Sequence, residues 1–239
     1  MKIATTLAFA LLLNGLLLSS DACLADHHPK AATAAVVDSS VVADESDDGW
    51  DDGWIELYNG KDFTGWKASE NTDTFSIQDG LIVANGKRSH LFYVGDVAGA
   101  EFKNFAWECE VMLLPSSNSG MFFHTQYQET GWPGHGYEIQ LNNTHRDRIK
   151  TGSVYAVQNV MDASPAEDNE WFTQRVVVQD DNVKIYVNGE LVNEYTEPAD
   201  MVPPEKRPNR RLSSGTIALQ GHDPGSTAKF RRIRVKLLD

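Results

Sequence analysis

Short runs of alternating apolar and polar residues recur along most of the chain, and residues typical of turns separate them. Apolar side chains occupy the odd positions of 105–113, and Tyr137, Ile139 and Leu141 alternate with polar residues. Alternation with a period of two is typical of a strand with one buried face. The sequence shows no helical period that lasts longer than two turns. The pattern therefore predicts an all-β chain.

Turn residues divide this pattern into hairpins. Asp79-Gly80 separates the apolar runs 75–77 and 81–83, and Asn188-Gly189 follows the run 183–187; both dipeptides favour tight hairpin turns. Further strands are predicted at 55–58, 121–127, 137–142, 172–179, 215–220 and 229–238, and four prolines mark 196–214 as a surface loop. Many short strands with frequent turns predict a two-sheet antiparallel β-sandwich, or jelly roll.

The N-terminal residues have the composition of a targeting segment. Residues 4–18 form a largely apolar run that Asn14 interrupts, and Cys23-Leu24-Ala25 fits a cleavage site, so 1–25 is interpreted as a secretory signal peptide. The apolar run is shorter than the roughly 20 residues of a membrane helix. Cys23 also allows a lipoprotein anchor, although Asp21 is a poor match for it. We therefore expect a secreted or periplasmic protein without a membrane span.

Residues 26–53 contain eight acidic residues and one lysine and are predicted to form a disordered linker, since they have too little apolar surface to offset the cost of ordering. A single domain is then expected over 54–239. The net charge of −13 argues against a nucleic-acid partner. Cys109 alternates with apolar neighbours and is predicted to be a core residue.

Three polar residues interrupt the apolar strand pattern at one place. Glu138, Gln140 and Asn142 alternate with Tyr137, Ile139 and Leu141, so their side chains share one face of a strand. This row predicts a polar groove. A retaining glycosidase needs two carboxyl groups about 5 Å apart. The row contains only one carboxyl group, which disfavours that mechanism.

Several motifs, in order, resemble the 3-keto-disaccharide hydrolase domain family. They cover about residues 54–239 and are the following segments: 57–66 (LYNGKDFTGW), 118–123 (NSGMFF), 136–140 (GYEIQ), 151–155 (TGSVY), 187–189 (VNG), 215–220 (GTIALQ) and 230–234 (FRRIR). The chain departs from the family pattern at His124, where members usually have Arg, and in the order Gln220-Gly221-His222-Asp223.

The resemblance implies a concanavalin A-like jelly roll that acts on glycosides oxidised at carbon 3. A ketone at carbon 3 acidifies the proton on carbon 2, so one base can remove it and the glycosidic oxygen can leave. Glu138 and His222 are the candidates for base and acid, in either order, and His124 is a third titrating candidate. Asn118, Gln140 and Gln220 could orient sugar hydroxyls, with Tyr155, Asn142 and Trp132 as further binding residues. A divalent cation could polarise the ketone, but no ligand spacing identifies one.

Each candidate also has a structural interpretation. Glu138 could pair with an arginine such as Arg148, His222 could lie on an exposed loop, His124 could be an interior histidine, and Trp132 could pack its own loop. For the whole domain, the alternative is a lectin-like carbohydrate-binding module without catalysis.

Overall fold

A computed structural model describes residues 52–239 as a chain of β-strands. Two single-turn 3₁₀ helices occur, at Thr72–Thr74 and Val97–Ala100. The strands are β1 (Ile55–Glu56), β2 (Trp66–Ala68), β3 (Phe75–Gln78), β4 (Leu81–Ala84), β5 (Ser89–Tyr93), β6 (Phe105–Leu113), β7 (Ser119–Thr125), β8 (Tyr137–Leu141), β9 (Phe172–Gln179), β10 (Asn182–Val187), β11 (Glu190–Thr196), β12 (Thr216–Gly221) and β13 (Ala228–Leu237).

The strands form two antiparallel sheets. The larger sheet has the order β11-β10-β9-β6-β13-β4-β3, with β1 paired to β13, and the smaller sheet has the order β2-β5-β12-β7-β8. Hairpins such as β3-β4 and β9-β10-β11 alternate in these orders with pairs from distant parts of the chain, such as β6-β13 and β5-β12, as in jelly rolls. The predicted all-β, two-sheet antiparallel sandwich is confirmed.

The inner faces of the two sheets form one apolar core. Trp107 and Phe230 of the larger sheet and Phe123, Ile139 and Leu219 of the smaller sheet are completely buried in it. Burial of such surface is the main force that holds the domain together. Cys109 is also fully buried and has a free thiol, which confirms it as a core residue.

Local signals located most of these strands. The hairpin turns at Asp79-Gly80 and Asn188-Gly189 have positive φ at both residues, as type I′ turns require. The sequence pattern missed β5, because all five of its residues are buried and apolar alternation is absent. Such a strand has both faces covered, so its sequence lacks the usual period of two.

The predicted signal peptide, Cys23 and all but the last two residues of the predicted acidic linker lie outside the described residues. Within residues 52–239, no helix is long and apolar enough to cross a membrane.

Candidate active site

The outer face of the smaller sheet contains a pocket of about 220 Å³. Alternation along β8 turns Ile139 into the core and Glu138 and Gln140 outward, and β12 likewise turns Gln220 outward. The lining residues are Asn118, Trp132, Glu138, Gln140, Tyr155, Arg207, Gln220 and His222. Seven of these belong to the predicted set, so the fold brings most of the candidates together.

Glu138 lies half-buried in this pocket and accepts a hydrogen bond from Nε2 of Gln220 at 2.9 Å. Loss of solvation raises the pKa of Glu138 to about 7, although the bond from Gln220 and the cations Arg210 and Arg207 oppose the change. Arg148 instead pairs with Asp162 at 2.7 Å. Glu138 therefore makes no ion pair with Arg148 and can exchange a proton near neutral pH.

Gly120 provides the space that the Glu138 side chain occupies. Gly120 lies on β7 and pairs with Gln140 of β8, the strand that also carries Glu138. A Cβ atom at Gly120 would lie 2.7 Å from Oε1 of Glu138, closer than carbon atoms approach oxygen. The glycine of the Asn-Ser-Gly motif thus allows the carboxylate to reach across to β12.

His222 is held by a neighbouring carboxylate. Its Nδ1 lies 2.7 Å from Oδ2 of Asp223, and the Ser226 hydroxyl and the Gly225 N–H also donate to Asp223. Partial burial alone would raise the pKa of Asp223, but the hydrogen bonds from His222, Ser226 and Gly225 hold it below its usual value. Because the carboxylate accepts at Nδ1–H, Nε2 is the nitrogen of His222 that is available for proton exchange.

Two further histidines adjoin the pocket, and the sequence pattern predicted neither. Nδ1 of His145 lies 3.4 Å from the Asn118 amide nitrogen and 3.2 Å from the Asp147 N–H, and its ring centre is 6.1 Å from that of His222. Burial and the nearby His222 lower the pKa of His145. It lies on an irregular segment, where no periodic pattern could have indicated its direction.

His90, on the unpredicted strand β5, is fully buried beneath Trp132. The two ring centres are 5.6 Å apart, and burial lowers the pKa of His90 to about 3. His90 is therefore a neutral support for the pocket wall.

Trp132 combines a packing role with an exposed surface. Its ring centre lies 5.3 Å from that of His222, and 40% of the residue is exposed. The loop is anchored by Gln128, which donates to the Trp132 carbonyl at 2.9 Å, and by Glu70, which accepts from the Gly131 N–H at 2.9 Å. A firmly held, partly exposed indole can serve as a platform for a sugar ring.

The predicted surface loop at 196–214 also forms part of the pocket. Arg207 lines the pocket, and Arg210 donates to the carbonyl oxygen of Tyr155. The loop is attached to the core by Glu197, which accepts hydrogen bonds from the Tyr137 hydroxyl and, at 2.9 Å, from the Leu212 N–H. The sequence alone suggested no role for these arginines, because nothing local shows that the loop folds back over β8.

His124 does not reach the pocket, which corrects its predicted place in the groove. The ladder pairs Ala218 with Phe122 but Thr216 with Thr125, so β7 has one extra residue at this point. His124 has a φ of 52° in this bulge and turns away, with Nε2 2.9 Å from the Lys103 carbonyl oxygen and Nδ1 3.1 Å from the Ser213 N–H. A bulge reverses the side-chain direction that alternation predicts.

Asn142 also lies outside the pocket lining. It is fully buried, and its amide nitrogen donates to the carbonyl oxygens of Asp147 at 2.9 Å and Ile149 at 2.7 Å. Asn142 therefore has a structural role in place of the predicted binding role, because its hydrogen bonds stabilise the segment that carries His145.

Several polar atoms in the pocket are not used by the protein itself. Both polar atoms of the Gln140 amide, Oδ1 of Asn118 and Oε1 of Gln220 are buried without a hydrogen-bond partner among the described protein atoms. Donors and acceptors arranged in this way match the hydroxyl groups of a sugar. Within residues 52–239, no cluster of three or more His, Cys, Asp or Glu side chains could hold a metal ion, so no ligand set can be named for a divalent cation.

The fold and this pocket define a carbohydrate-acting β-sandwich protein. A solved β-glucanase from Bacillus licheniformis shares the fold, with a TM-score of 0.51, 14% identity and coverage of 78% of this chain and 99% of that one. The chain belongs to the family of 3-keto-alpha-glucoside-1,2-lyase-like domains, whose model matches residues 53–236.

Two relatives are similar over most of their length. A 3-keto-disaccharide hydrolase from Bacteroides thetaiotaomicron is 25% identical over an alignment 257 positions long, which covers 89% of this chain and 86% of the relative. A solved structure from Parabacteroides distasonis, with a provisional assignment as a glycosyl hydrolase, is 25% identical with a TM-score of 0.67 and covers 83% of this chain and 99% of that one.

Proposed function

We propose that the protein cleaves 3-keto-glycosides by elimination at carbons 1 and 2 followed by hydration. The observation that carries this proposal is the single carboxylate, Glu138, among the described residues that line the pocket, with a pKa near 7. A retaining glycosidase would need a second carboxyl group about 5 Å away. Removal of a proton next to a ketone needs only one base with a pKa near the working pH.

In the proposed reaction, Glu138 takes the proton from carbon 2, and the C–H electrons form the enolate of the 3-ketone. The enolate then forms the carbon 1–carbon 2 double bond, and the glycosidic carbon–oxygen bond breaks. His222, as the imidazolium held by Asp223, gives its proton to the departing oxygen. The products of this half-reaction are an alcohol and an unsaturated 3-keto sugar.

Hydration reverses these proton transfers. His222 takes a proton from water as the water oxygen adds to carbon 1, and Glu138, whose carboxyl proton exchanges with solvent between the two half-reactions, gives a proton to carbon 2. Both residues then regain their starting states, so the cycle needs no external acid or base. The Gln140 amide, which is buried beside Glu138 and has no hydrogen-bond partner within residues 52–239, is the donor available to the enolate oxygen.

The comparisons support the substrate class. The description of the matching family names a 3-keto-alpha-glucoside lyase activity, and the relative from Bacteroides thetaiotaomicron is named as a 3-keto-disaccharide hydrolase. The anchored Trp132 ring and the unused amide atoms suit a sugar. The predicted signal peptide leads us to propose a secreted or periplasmic location, which the N-terminal residue of the exported protein would test.

The direct test is to incubate the purified protein with a 3-keto-disaccharide in D₂O, with and without added divalent metal. Elimination and hydration should release a 3-keto sugar with deuterium at carbon 2, whereas direct hydrolysis would leave that carbon unlabelled. The product incubated without protein corrects for spontaneous exchange. Absence of turnover under every condition would refute the proposal.

The matched variants are Glu138→Gln and Glu194→Gln. Loss of a general base typically lowers the rate by about 10² to 10⁴, so Glu138→Gln should lose most of its turnover. Glu194, which is exposed at the far edge of the larger sheet, should tolerate the same change.

A binding module is the second candidate, favoured by the amide row and the Trp132 platform. Such a protein would bind an unoxidised disaccharide without change and would keep its affinity after Glu138→Gln. Calorimetry with that variant distinguishes the two functions.

A further inference from the structure

The arginines of the described chain fall into two groups. Six form ion pairs with Asp or Glu side chains: Arg88, Arg148, Arg175, Arg231, Arg232 and Arg234. The other four form no ion pair with any residue of 52–239: Arg146, Arg207, Arg210 and Arg211. In a protein with a net charge of −13, unpaired arginines in one region require an explanation.

The four unpaired arginines are close in the chain to residues that adjoin the pocket. Arg146 directly follows His145, and the other three lie with Lys206 in a run of six residues, 206–211. Arg207 lines the pocket, and Arg207 and Arg210 together line a recess that continues from it beside Glu138. Arg207 and Arg210 are therefore the cations that border the site where a ligand is expected.

The backbone of this segment is held in place. The Gly136 N–H donates to the Asn209 carbonyl at 3.0 Å, and the Arg207 N–H donates to the Pro204 carbonyl at 2.7 Å. The Arg210 side chain is also held, because it donates to the Tyr155 carbonyl, a neutral acceptor. A guanidinium suits carboxylate and sulfate groups, because its fork of N–H groups can donate to two of their oxygens at once.

No carboxylate within residues 52–239 forms an ion pair with these four arginines, although Arg210 and Arg207 lie near enough to Glu138 for their charges to lower its pKa. Asp147 already accepts from the Tyr155 hydroxyl at 3.3 Å and from the Ile149 N–H at 3.0 Å, and Glu138 accepts from Gln220. We infer that the pocket selects glycosides that carry an anionic group, a carboxylate or a sulfate, which Arg207 binds with support from Arg210. This inference rests on the proposed function and specifies its substrate class.

The test uses a matched pair of substrates, the 3-keto-glucosides of 4-hydroxybenzoate and of 4-hydroxybenzamide, in both anomeric forms. The leaving groups have nearly the same shape and differ in charge. A second pair, a 3-keto-glucuronide and the 3-keto-glucoside of the same alcohol, places the charge on the sugar ring. The 3-keto-glucoside of 4-hydroxybenzenesulfonate distinguishes recognition of a sulfate-like group from recognition of a carboxylate.

The measured quantity is the ratio of kcat/KM for the anionic substrate to that for its neutral partner. Because intrinsic reactivity is unaffected by the protein variant, the change in this ratio on Arg207→Gln isolates the contribution of the guanidinium. We expect the ratio to fall about tenfold for at least one pair, mainly through KM, as the loss of one charged contact predicts. Added salt should reduce the wild-type preference.

Lys206→Gln and Arg211→Gln are the controls. Each removes one positive charge from the same segment, and both residues are exposed and outside the pocket lining. Their ratios should stay within about twofold of wild type, since an exposed charge outside the site contributes only weakly.

Two results would overturn the inference. One is a ratio that Arg207→Gln leaves unchanged for every pair. The other is an equal loss on anionic and neutral substrates, which would show that Arg207 acts on a group common to both, such as the enolate oxygen.

A failure of the proposed function gives a different result. If no 3-keto-glycoside is turned over, calorimetry with the unoxidised glucosides of 4-hydroxybenzoate and 4-hydroxybenzamide still measures the preference. Tighter binding of the anion that is lost in Arg207→Gln would support anion recognition without catalysis. Equal binding of the anionic and the neutral glucoside would overturn the inference of anion recognition.

Discussion

At the scale of single residues, the environment of Glu138 decides its chemistry. A solvent-exposed glutamate is ionised at neutral pH, but burial raises the pKa of Glu138 to about 7, and Gln220 and the nearby arginines limit that rise. The same carboxyl group can therefore accept and return a proton in one catalytic cycle. Gly120 contributes by its lack of a side chain, because a Cβ atom there would displace the carboxylate.

The pH dependence of kcat/KM tests the role of Glu138. A base must be ionised, so kcat/KM should rise tenfold per pH unit below about 7, and it should fall again at the higher pH where the acid, His222, has lost its proton. Gln220→Leu removes a hydrogen bond that lowers the pKa of Glu138, so the rising limb should move to higher pH. Gln78→Leu, on the exposed edge strand β3, is the control. A profile whose rising limb does not move in Gln220→Leu would contradict the assignment of Glu138 as the base.

At the scale of elements, the larger sheet carries its charge on its outer face. Arginines of β13 and β9 pair across β6, where Glu108 accepts from Arg234 at 2.6 Å and from Arg175 at 2.7 Å. The three arginines of β13 are therefore all paired with glutamates of β6. A bulge at Arg232, which has a φ of 48°, keeps both Phe230 and Ile233 in the core.

Replacing Glu108 by Gln should destabilise the domain without affecting the pocket. The Glu108 side chain is only 7% exposed, so the change removes the negative charge with which both Arg175 and Arg234 pair and should cost about 2 to 3 kcal/mol of unfolding free energy. Glu194→Gln removes an exposed pair with Lys184 at 3.7 Å and should cost less than about 0.5 kcal/mol. Urea unfolding followed by tryptophan fluorescence measures both, and equal losses would contradict this account.

At the scale of the whole molecule, the sandwich serves as a rigid base for three segments that are distant in sequence. The loop with Trp132, the segment with His145 and the segment with Arg207 meet over β8 and β12. The connection between core and pocket is Tyr137, whose ring is buried on the inner side of β8 and whose hydroxyl donates to Glu197. On β8, Glu138 thus points outward into the pocket, and its neighbour Tyr137 points inward and anchors the segment that carries Arg207.

Tyr137→Phe should loosen that segment and leave the sheets intact. Loss of a hydrogen bond to a buried carboxylate should cost about 1.5 to 3 kcal/mol, and amide hydrogens of 209–212 should exchange faster. KM should rise more than kcat falls, because Arg207 and Arg210 lose their fixed positions while Glu138 keeps its strand. Tyr186→Phe, on the outer face of the larger sheet, is the matched control, and unchanged exchange at 209–212 would refute the anchor.

Much of the fold follows from local physical rules that a sequence displays directly. The strand over 172–179 and the two hairpins at Asp79-Gly80 and Asn188-Gly189 depend on alternation and on turn residues that tolerate positive φ. The same alternation placed Glu138 and Gln140 on one outward face. It failed at β5, which is covered on both faces, and at His124, where the bulge in β7 changes the side-chain direction.

The sequence by itself determined the two-sheet architecture, the polar face of β8 and most of the residues that line the pocket, because each depends on near neighbours in the chain. Only the tertiary structure decided that His145, His90, Arg207 and Arg210 join that pocket, because contacts between distant segments depend on how the whole chain packs. It also decided the pKa of Glu138. That value depends on the solvent removed, on the hydrogen bond from Gln220, 82 positions away in the chain, and on the charges of Arg210 and Arg207.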